Sequence, residues 1–218
     1  MSTAANLKAY RISRLHTARL YAIVDLGYVL PENVLAITRA LIEGGADIIQ
    51  LRAKNHSPQL IESLAQQMLP LIRAHDVLFV INDHPGIAAA VGADIVHVGQ
   101  DDDAIEKARA IVGPDILVGK STHSLAQATA AQQEGADYIG FGPLFATGTK
   151  PDYTPIGLAD IKAVHQQVGV PIFCIGGVNA ARLDEVLAAG ALRVVVVSDL
   201  LLATDVRTHT AGMRARVA

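Results

Sequence analysis

Gln50, Arg52 and Lys54 alternate in Gln50-Leu51-Arg52-Ala53-Lys54, a spacing that puts all three on one side of an extended strand. Two cations so placed, with no acid close in sequence, are costly to bury unless they face an anion or partner carboxylates. A structural ion pair is the competing reading. Asn82-Asp83 and Gln100-Asp101-Asp102-Asp103 add carboxylates and amides. That all-oxygen set suits Mg²⁺ carrying water and substrate phosphate better than Zn²⁺. Helix N-capping accounts for at least one of the three consecutive aspartates. In the segment Pro143–Asp152, Thr147, Thr149 and Lys150 surround Gly148. Hydroxyls and an ammonium around a glycine make a clamp for phosphate or pyrophosphate oxygens, on a loop long enough to act as a water-excluding lid.

Gly119-Lys120-Ser121-Thr122-His123-Ser124 offers Ser121 and His123 for hydrogen-bond or proton work, and Ser124 as a helix N-cap. Its Gly-Lys-Ser lacks the upstream glycine of a nucleotide-binding loop. Gly176-Gly177 and Val197-Ser198 each follow an apolar run, where backbone amides aimed by a short helix can receive a single phosphate. Cys174 reads as a packed apolar side chain, and the histidines show no zinc-ligand spacing.

These residues need elements that bring them to one place, and a repeat supplies them. Gly45-Ala46-Asp47, Gly92-Ala93-Asp94, Gly135-Ala136-Asp137 and the altered Gly190-Ala191-Leu192 each follow a helical stretch and open a short Val/Ile-rich or aromatic run. Each glycine suits a left-handed helix terminus. Between them lie four more apolar runs, at 20–25, 77–83, 115–121 and 171–177. Helical segments alternate with these runs, the clearest starting at Ser57-Pro58 as N-cap and first helical residue. Eight strands alternating with helices predict an α/β protein with a parallel sheet, and the fourfold repeat favours closure into a single (β/α)8 TIM barrel. The barrel is expected over residues 19–218. Residues 1–18, with Lys8, Arg11, Arg14 and His16 but no acid and no apolar signal region, form an N-terminal arm or short helix. In such a barrel, chemistry sits at the carboxyl ends of the strands, where every cluster above falls.

Composition bounds the alternatives. At 218 residues and 51% hydrophobic the chain can bury a large core, and disorder is excluded. A single cysteine excludes a disulfide framework and suits a reducing, cytoplasmic setting. A net charge of −3 argues against nucleic acid as a partner, and no apolar run is long enough to span a membrane. The positive charge that would bind an anion is therefore local. One site combines Arg52, Lys54, Lys150, two threonines and Mg²⁺, as a pyrophosphate leaving group requires; the other suits a single phosphate.

The segments QLRAK, VINDHP, HVGQDD, STHS, GPLFATGTKPD and IGGV, in this order, resemble the thiamine phosphate synthase family from about Leu20 to Leu200. The resemblance implies a transferase of an aminopyrimidylmethyl group, joining hydroxymethylpyrimidine diphosphate to thiazole phosphate with release of pyrophosphate. It implies that Gln50, Arg52, Lys54 and Asn82 contact the pyrimidine diphosphate and that Asp83 and Asp102 hold Mg²⁺. Ser121 would sit by the reacting pyrimidine, Thr147, Thr149 and Lys150 would clamp the pyrophosphate, and Gly177, Val197 and Ser198 would receive the thiazole phosphate. Ser121, Lys150 and Arg52 are then the expected catalytic residues. A homodimer is left open.

Three departures from the family's pattern carry expectations. Lys120 stands where a small apolar residue precedes the serine, which would add charge beside the pyrimidine pocket. Asp199 follows Ser198, placing a carboxylate near the expected phosphate, and Leu192-Arg193 replaces Asp-Gly before the last strand, with Arg193 as a counter-charge for Asp199. Rival readings are a related thiazole tautomerase, a sugar-phosphate epimerase, and a non-catalytic ligand-binding homologue. The last draws its support from Lys120 and Asp199. The Thr-x-Thr-Lys loop with Asp83 and Asp102 separates a synthase from an isomerase, which releases no pyrophosphate.

Overall fold

The eight apolar runs pair side by side in chain order. The computed structural model describes residues 3–100, 105–148 and 154–217. Its strands are β1 (Leu20–Asp25), β2 (Ile48–Arg52), β3 (Leu78–Asn82), β4 (Ile95–Val98), β5 (Leu117–Thr122), β6 (Tyr138–Phe141), β7 (Ile172–Cys174) and β8 (Val194–Val196). All are parallel, and pairing of β8 with β1 closes the sheet into the expected (β/α)8 barrel. The helices are α1 (Thr3–Thr17), α2 (Val34–Glu43), α3 (Pro58–Arg73), α4 (Pro85–Val91) and α5 (Ile105–Val112). They continue with α6 (Leu125–Gln133), α7 (Ile161–Gln167), α8 (Leu183–Ala188), α9 (Ser198–Leu201) and α10 (Val206–Arg216). Ser57 and Ser124 cap α3 and α6 as expected, accepting from the N–H of Leu60 at 3.3 Å and of Gln127 at 3.2 Å. Helix α4 is absent from the sequence reading: its 7 residues, with Gly86 and three alanines, are too short and too uniform to show a 3.6-residue period. Among the described residues no helix is long and apolar enough to cross a membrane.

The repeat has a physical function at the N-terminal end of the barrel. Its glycines 45, 92, 135 and 190 all take positive φ, between 72° and 104°. Its aspartates bind backbone N–H groups within the first two residues of odd-numbered strands. Asp47 accepts from Leu20 N–H at 2.9 Å, Asp94 from Phe79 N–H at 3.0 Å and Asp137 from Val118 N–H at 2.7 Å. Each also pairs with an arginine from a helix: Arg214 at 3.3 Å, Arg11 at 2.9 Å and Arg109 at 2.7 Å. The fourth copy, with Leu192 in place of aspartate, lacks this carboxylate.

Apolar side chains form two layers. Residues such as Ile49, Leu51, Phe79, Ile81 and Val96 pack outward against the helices. Their alternates, including Tyr21, Ile48, Leu78, Ile95, Leu117, Tyr138, Phe173 and Val195, fill the barrel's interior. The Phe173 ring stands edge-on to Tyr21 and to Tyr138, each at 5.5 Å between ring centres. The alternation fixes which face every strand-end residue presents. Leu15 and Ala18 join the inner cluster from the segment 15–18, so α1 closes the bottom of the barrel. Arg11 on α1 is buried there, donating to the Asp94 carboxylate and to the carbonyls of Asp115 (3.0 Å) and Ala93 (3.2 Å).

Gly119 faces inward opposite Tyr138 in the β5–β6 register, and a Cβ there would lie 2.1 Å from the tyrosine ring. The glycine is what allows the ring to lie across β5.

Replacing Arg11 by Met strips Asp94 of its counter-charge in a buried setting. The expected loss is about 3 kcal/mol in urea unfolding; an unchanged midpoint would show that the Arg11–Asp94 pair contributes nothing to barrel stability. Gly119→Ala forces Tyr138 out of place and is expected to cost about 2 kcal/mol by the same measurement.

Candidate active site

The carboxyl ends of the strands surround one pocket. Its lining includes Gln50 and Arg52 from β2, Asn82 from β3, Ser121 from β5, Thr147 from the loop after β6, and Gly177, Val197 and Ser198 from the segments after β7 and β8. Eight of the residues singled out from sequence thus face a common space. Tyr21, His97 and Tyr138 line it too. The sequence reading missed these three. The alternation that turned Gln50 inward applies equally to β1, β4 and β6, and would have found them.

These side chains form a continuous hydrogen-bonded chain through the barrel. Gln50 Nε2 donates to Tyr21 Oη at 2.6 Å, which bonds Tyr138 Oη at 3.1 Å. Tyr138 Oη meets His97 Nδ1 at 2.9 Å, and His97 Nε2 meets Ser121 Oγ at 3.0 Å. Burial raises both tyrosine pKa values, so both stay neutral phenols. With Gln50 donating at one end, one hydrogen per link is consistent in one direction. Tyr21 donates to Tyr138, Tyr138 to Nδ1, and the Nε2–H tautomer of His97 to Ser121. The Ser121 hydroxyl then keeps its own hydrogen for a ligand in the pocket.

The cations at the rim are paired. Arg52 forms a buried ion pair with Asp25, the last residue of β1, whose side chain is 3% exposed. Asp25 also accepts from Gly27 N–H at 2.9 Å. The guanidinium has five N–H groups, so this pair leaves donors for an anion. Lys54, half exposed, lies 3.1 Å from the Asp83 carboxylate, which also accepts from Asn82 Nδ2 at 2.5 Å. Asp83 adopts φ of 62°, a left-handed conformation that aspartate tolerates better than most residues and that often marks functional turns. Asp25, Arg52, Lys54 and Gly148 line a second groove beside the pocket. The structural ion pair weighed against anion binding is therefore real, and both cations remain at the mouth.

The loop after β6 is anchored at its two stems. Leu144 and Phe145 N–H groups donate to the carbonyls of Ile175 (2.8 Å) and Gly176 (3.0 Å), while Ile156 N–H donates to Pro143 O at 2.8 Å. Arg182 donates to Gly177 O at 3.1 Å and stacks over the Phe145 ring at 4.5 Å. Thr149, Lys150 and Asp102 lie outside the described residues. Among the described residues no group of three or more His, Cys, Asp or Glu side chains gathers as a metal site. Cys174 is buried in β7 as expected, its thiol pKa pushed up to about 12 by burial, which keeps it protonated.

Two of the departures resolve differently from expectation. Lys120 does not enter the pocket. With Ser121 facing inward, Lys120 faces outward and its Nζ binds Glu134 at 2.8 Å beside α6. Arg193 cannot offset Asp199, because it sits at the opposite end of the barrel and donates to His16 O at 2.8 Å. The Asp199 carboxylate is met by His209 Nε2 at 2.7 Å and by Ala180 N–H at 3.1 Å. The features that favoured a non-catalytic homologue are thus a helix-facing ion pair and a partnered carboxylate.

The barrel and its mouth have close counterparts. A family model described as thiamine monophosphate synthase matches residues 20–200. The thiamine-phosphate synthase of Chloroflexus aurantiacus is 42% identical over 200 residues, covering 91% of this chain and 92% of the relative. That of Shouchella clausii is 38% identical over 198 residues, covering 90% and 95%. The solved structure of thiamine phosphate pyrophosphorylase from Pyrococcus furiosus superposes with a TM-score of 0.84 at 35% identity, covering 94% of this chain and 96% of that one. With the family matched over nearly the whole barrel, this chain belongs to the thiamine monophosphate synthase family.

Proposed function

We propose that this chain is a transferase that joins hydroxymethylpyrimidine diphosphate to thiazole phosphate, releasing pyrophosphate and forming thiamine phosphate. The observation that carries the reading is the shared pocket. Gln50, Arg52, Asn82 and Ser121 line it together with Gly177, Val197 and Ser198, so the residues expected for the two phosphorylated substrates face one space. The membership of the family supports the same conclusion. A cytoplasmic setting fits the single buried thiol.

In the substitution, the bond between the pyrimidine methylene carbon and the diphosphate oxygen breaks, and the thiazole nitrogen takes up the carbon. An electron-rich aminopyrimidine stabilises the cation left between these steps, so no strong base is needed. The demand falls on charge and position. Arg52 and Lys54, with Thr147, Thr149 and Lys150, hold the diphosphate and balance the charge of the departing pyrophosphate. Ser121, fed by the chain from Gln50 through His97, presents its hydroxyl to the pyrimidine. The apolar floor made by Ile23, Ile175 and Val195 keeps water from the cation. Gly177, Val197 and Ser198 receive the acceptor phosphate and so aim the thiazole nitrogen.

The donor chemistry fits Mg²⁺. Asp83, held by Asn82 and Lys54 at the end of β3, is a hard oxygen donor facing the cationic rim, and Asp102 would be the second carboxylate. A site with one or two carboxylates completed by phosphate and water is the usual one for this ion. Bound there, Mg²⁺ would neutralise diphosphate charge and stabilise the leaving group.

Incubation with both substrates, with thiamine phosphate read as fluorescent thiochrome, tests the proposal. Product is expected only with Mg²⁺, and Asp83→Ala should lower the rate by about 100-fold or more. Folded protein that makes no product under these conditions would overturn the reading. Arg52→Lys keeps the charge but loses the fork, and is expected to lower kcat/KM for the diphosphate about 100-fold while leaving the acceptor KM unchanged.

A further inference from the structure

Asp199 Oδ2 accepts two hydrogen bonds from different parts of the chain. One comes from Ala180 N–H, in the segment that leads from Gly177 toward α8, at 3.1 Å. The other comes from Nε2 of His209 on α10, at 2.7 Å. A single carboxylate oxygen thus ties together the segment after β7, the start of α9 and the middle of α10. Gly177, Ser198, Asp199 and His209 also line one groove at the barrel mouth, with a volume of about 890 Å³. Gly177 and Ser198 are shared with the active-site pocket.

The other charged groups that line the groove have partners of their own. Arg182, which lines the groove, binds Gly177 O and stacks on Phe145. Arg216 on α10 donates to Ala180 O at 2.7 Å and pairs with Asp184 of α8 at 2.8 Å. Asp205 caps α10 by accepting from Thr208 N–H at 3.0 Å, and those bonds hold its pKa down. Toward α2, Arg207 pairs with Glu43 at 3.6 Å, and Arg214 pairs with Asp47. His209 is left as the counterpart of Asp199.

We propose that Asp199 and His209 form a positioning pair that couples binding of the acceptor phosphate to the protonation of His209. This rests on the reading of Gly177, Val197 and Ser198 as the phosphate cradle. The carboxylate holds the Gly177–Ala180 segment in place. With His209 protonated, the pair carries no net charge beside the phosphate; with His209 neutral, it carries one negative charge. Affinity for the phosphate is therefore higher with His209 protonated than with it neutral. Neither residue touches the reacting atoms. Both act through the backbone and through charge.

Calorimetric binding of inorganic phosphate to the whole chain at pH 6 and pH 8 tests this without turnover or thiazole recognition. Relative to His209→Gln, the wild-type protein should lose about fivefold in affinity between these pH values, the effect of one added negative charge near the rim. Asp199→Asn still accepts from Ala180 N–H, and at pH 8 it should bind at least as tightly as wild type. His209→Gln keeps a donor to Asp199 but cannot take up a proton, so its affinity should change with pH only as the ionisation of phosphate itself dictates. A carboxylate that served only as a structural tie would instead weaken binding equally at both pH values when changed to Asn. That result, or the same pH slope in wild type and His209→Gln, would overturn the pair. Thiochrome assays on the same proteins separate this from the synthase reading. Product formation with identical slopes removes the pair alone, whereas the expected slopes without product keep the pair and remove the synthase.

Discussion

A closed barrel has no free edge at which a misregistered strand is tolerated, and a slip of one residue exchanges its two faces. In β2 such a slip would turn Gln50 and Arg52 into the helix layer and Leu51 into the mouth. Everything at the active site depends on register. The repeated aspartates act on it directly, because each binds an N–H group in the first two residues of a strand, at the end of the barrel remote from the candidate site. Arginines from α1, α5 and α10 hold those aspartates in turn. The division of labour follows the fold: the N-terminal face carries charge pairs for stability, and the C-terminal face carries the pairs of the candidate site.

The interior sets the next constraint. A polar group inside the barrel must be hydrogen-bonded or it destabilises the core. Gln50, Tyr21, Tyr138, His97 and Ser121 meet it jointly, across five strands, and the result is a chain with one free end. Space is part of the same solution. Tyr138 can cross the barrel only because β5 offers Gly119 beneath it. Thus the residue that looks like a flexible point in the sequence is a packing requirement, and the serine two positions on inherits its orientation from it.

Strand-end residues were legible because period-two alternation and the barrel's polarity need only local sequence. That reasoning reached Gln50, Arg52, Asn82 and Ser121, and the family resemblance supplied their roles. Applied consistently, it would also have turned Lys120 away from the pocket, since neighbours in a strand cannot share a face. What local sequence does not contain is the partner across the barrel. Asp25 answers Arg52 from a strand 27 residues earlier, and His97 reaches Ser121 across 24 residues. Helix α4 escaped for another reason: with three alanines and a glycine, its pattern holds too little contrast to reveal a period.

Departures from a family's pattern gain meaning from what surrounds them. An aspartate after Ser198 looks unfavourable beside a phosphate when only its neighbours in sequence are considered. In the fold it meets an imidazole from α10 and a backbone N–H from the segment after β7, so its charge is opposed and its oxygen is used. Arg193, the nearest cation in sequence, lies at the wrong end because β8 runs the length of the barrel between them. The same geometry keeps Lys120 with Glu134. Charges placed around such a site are accommodated when another element, distant in sequence, already faces them. In a barrel wrapped by helices every mouth segment has such a neighbour, and here α10 is the one that meets Asp199.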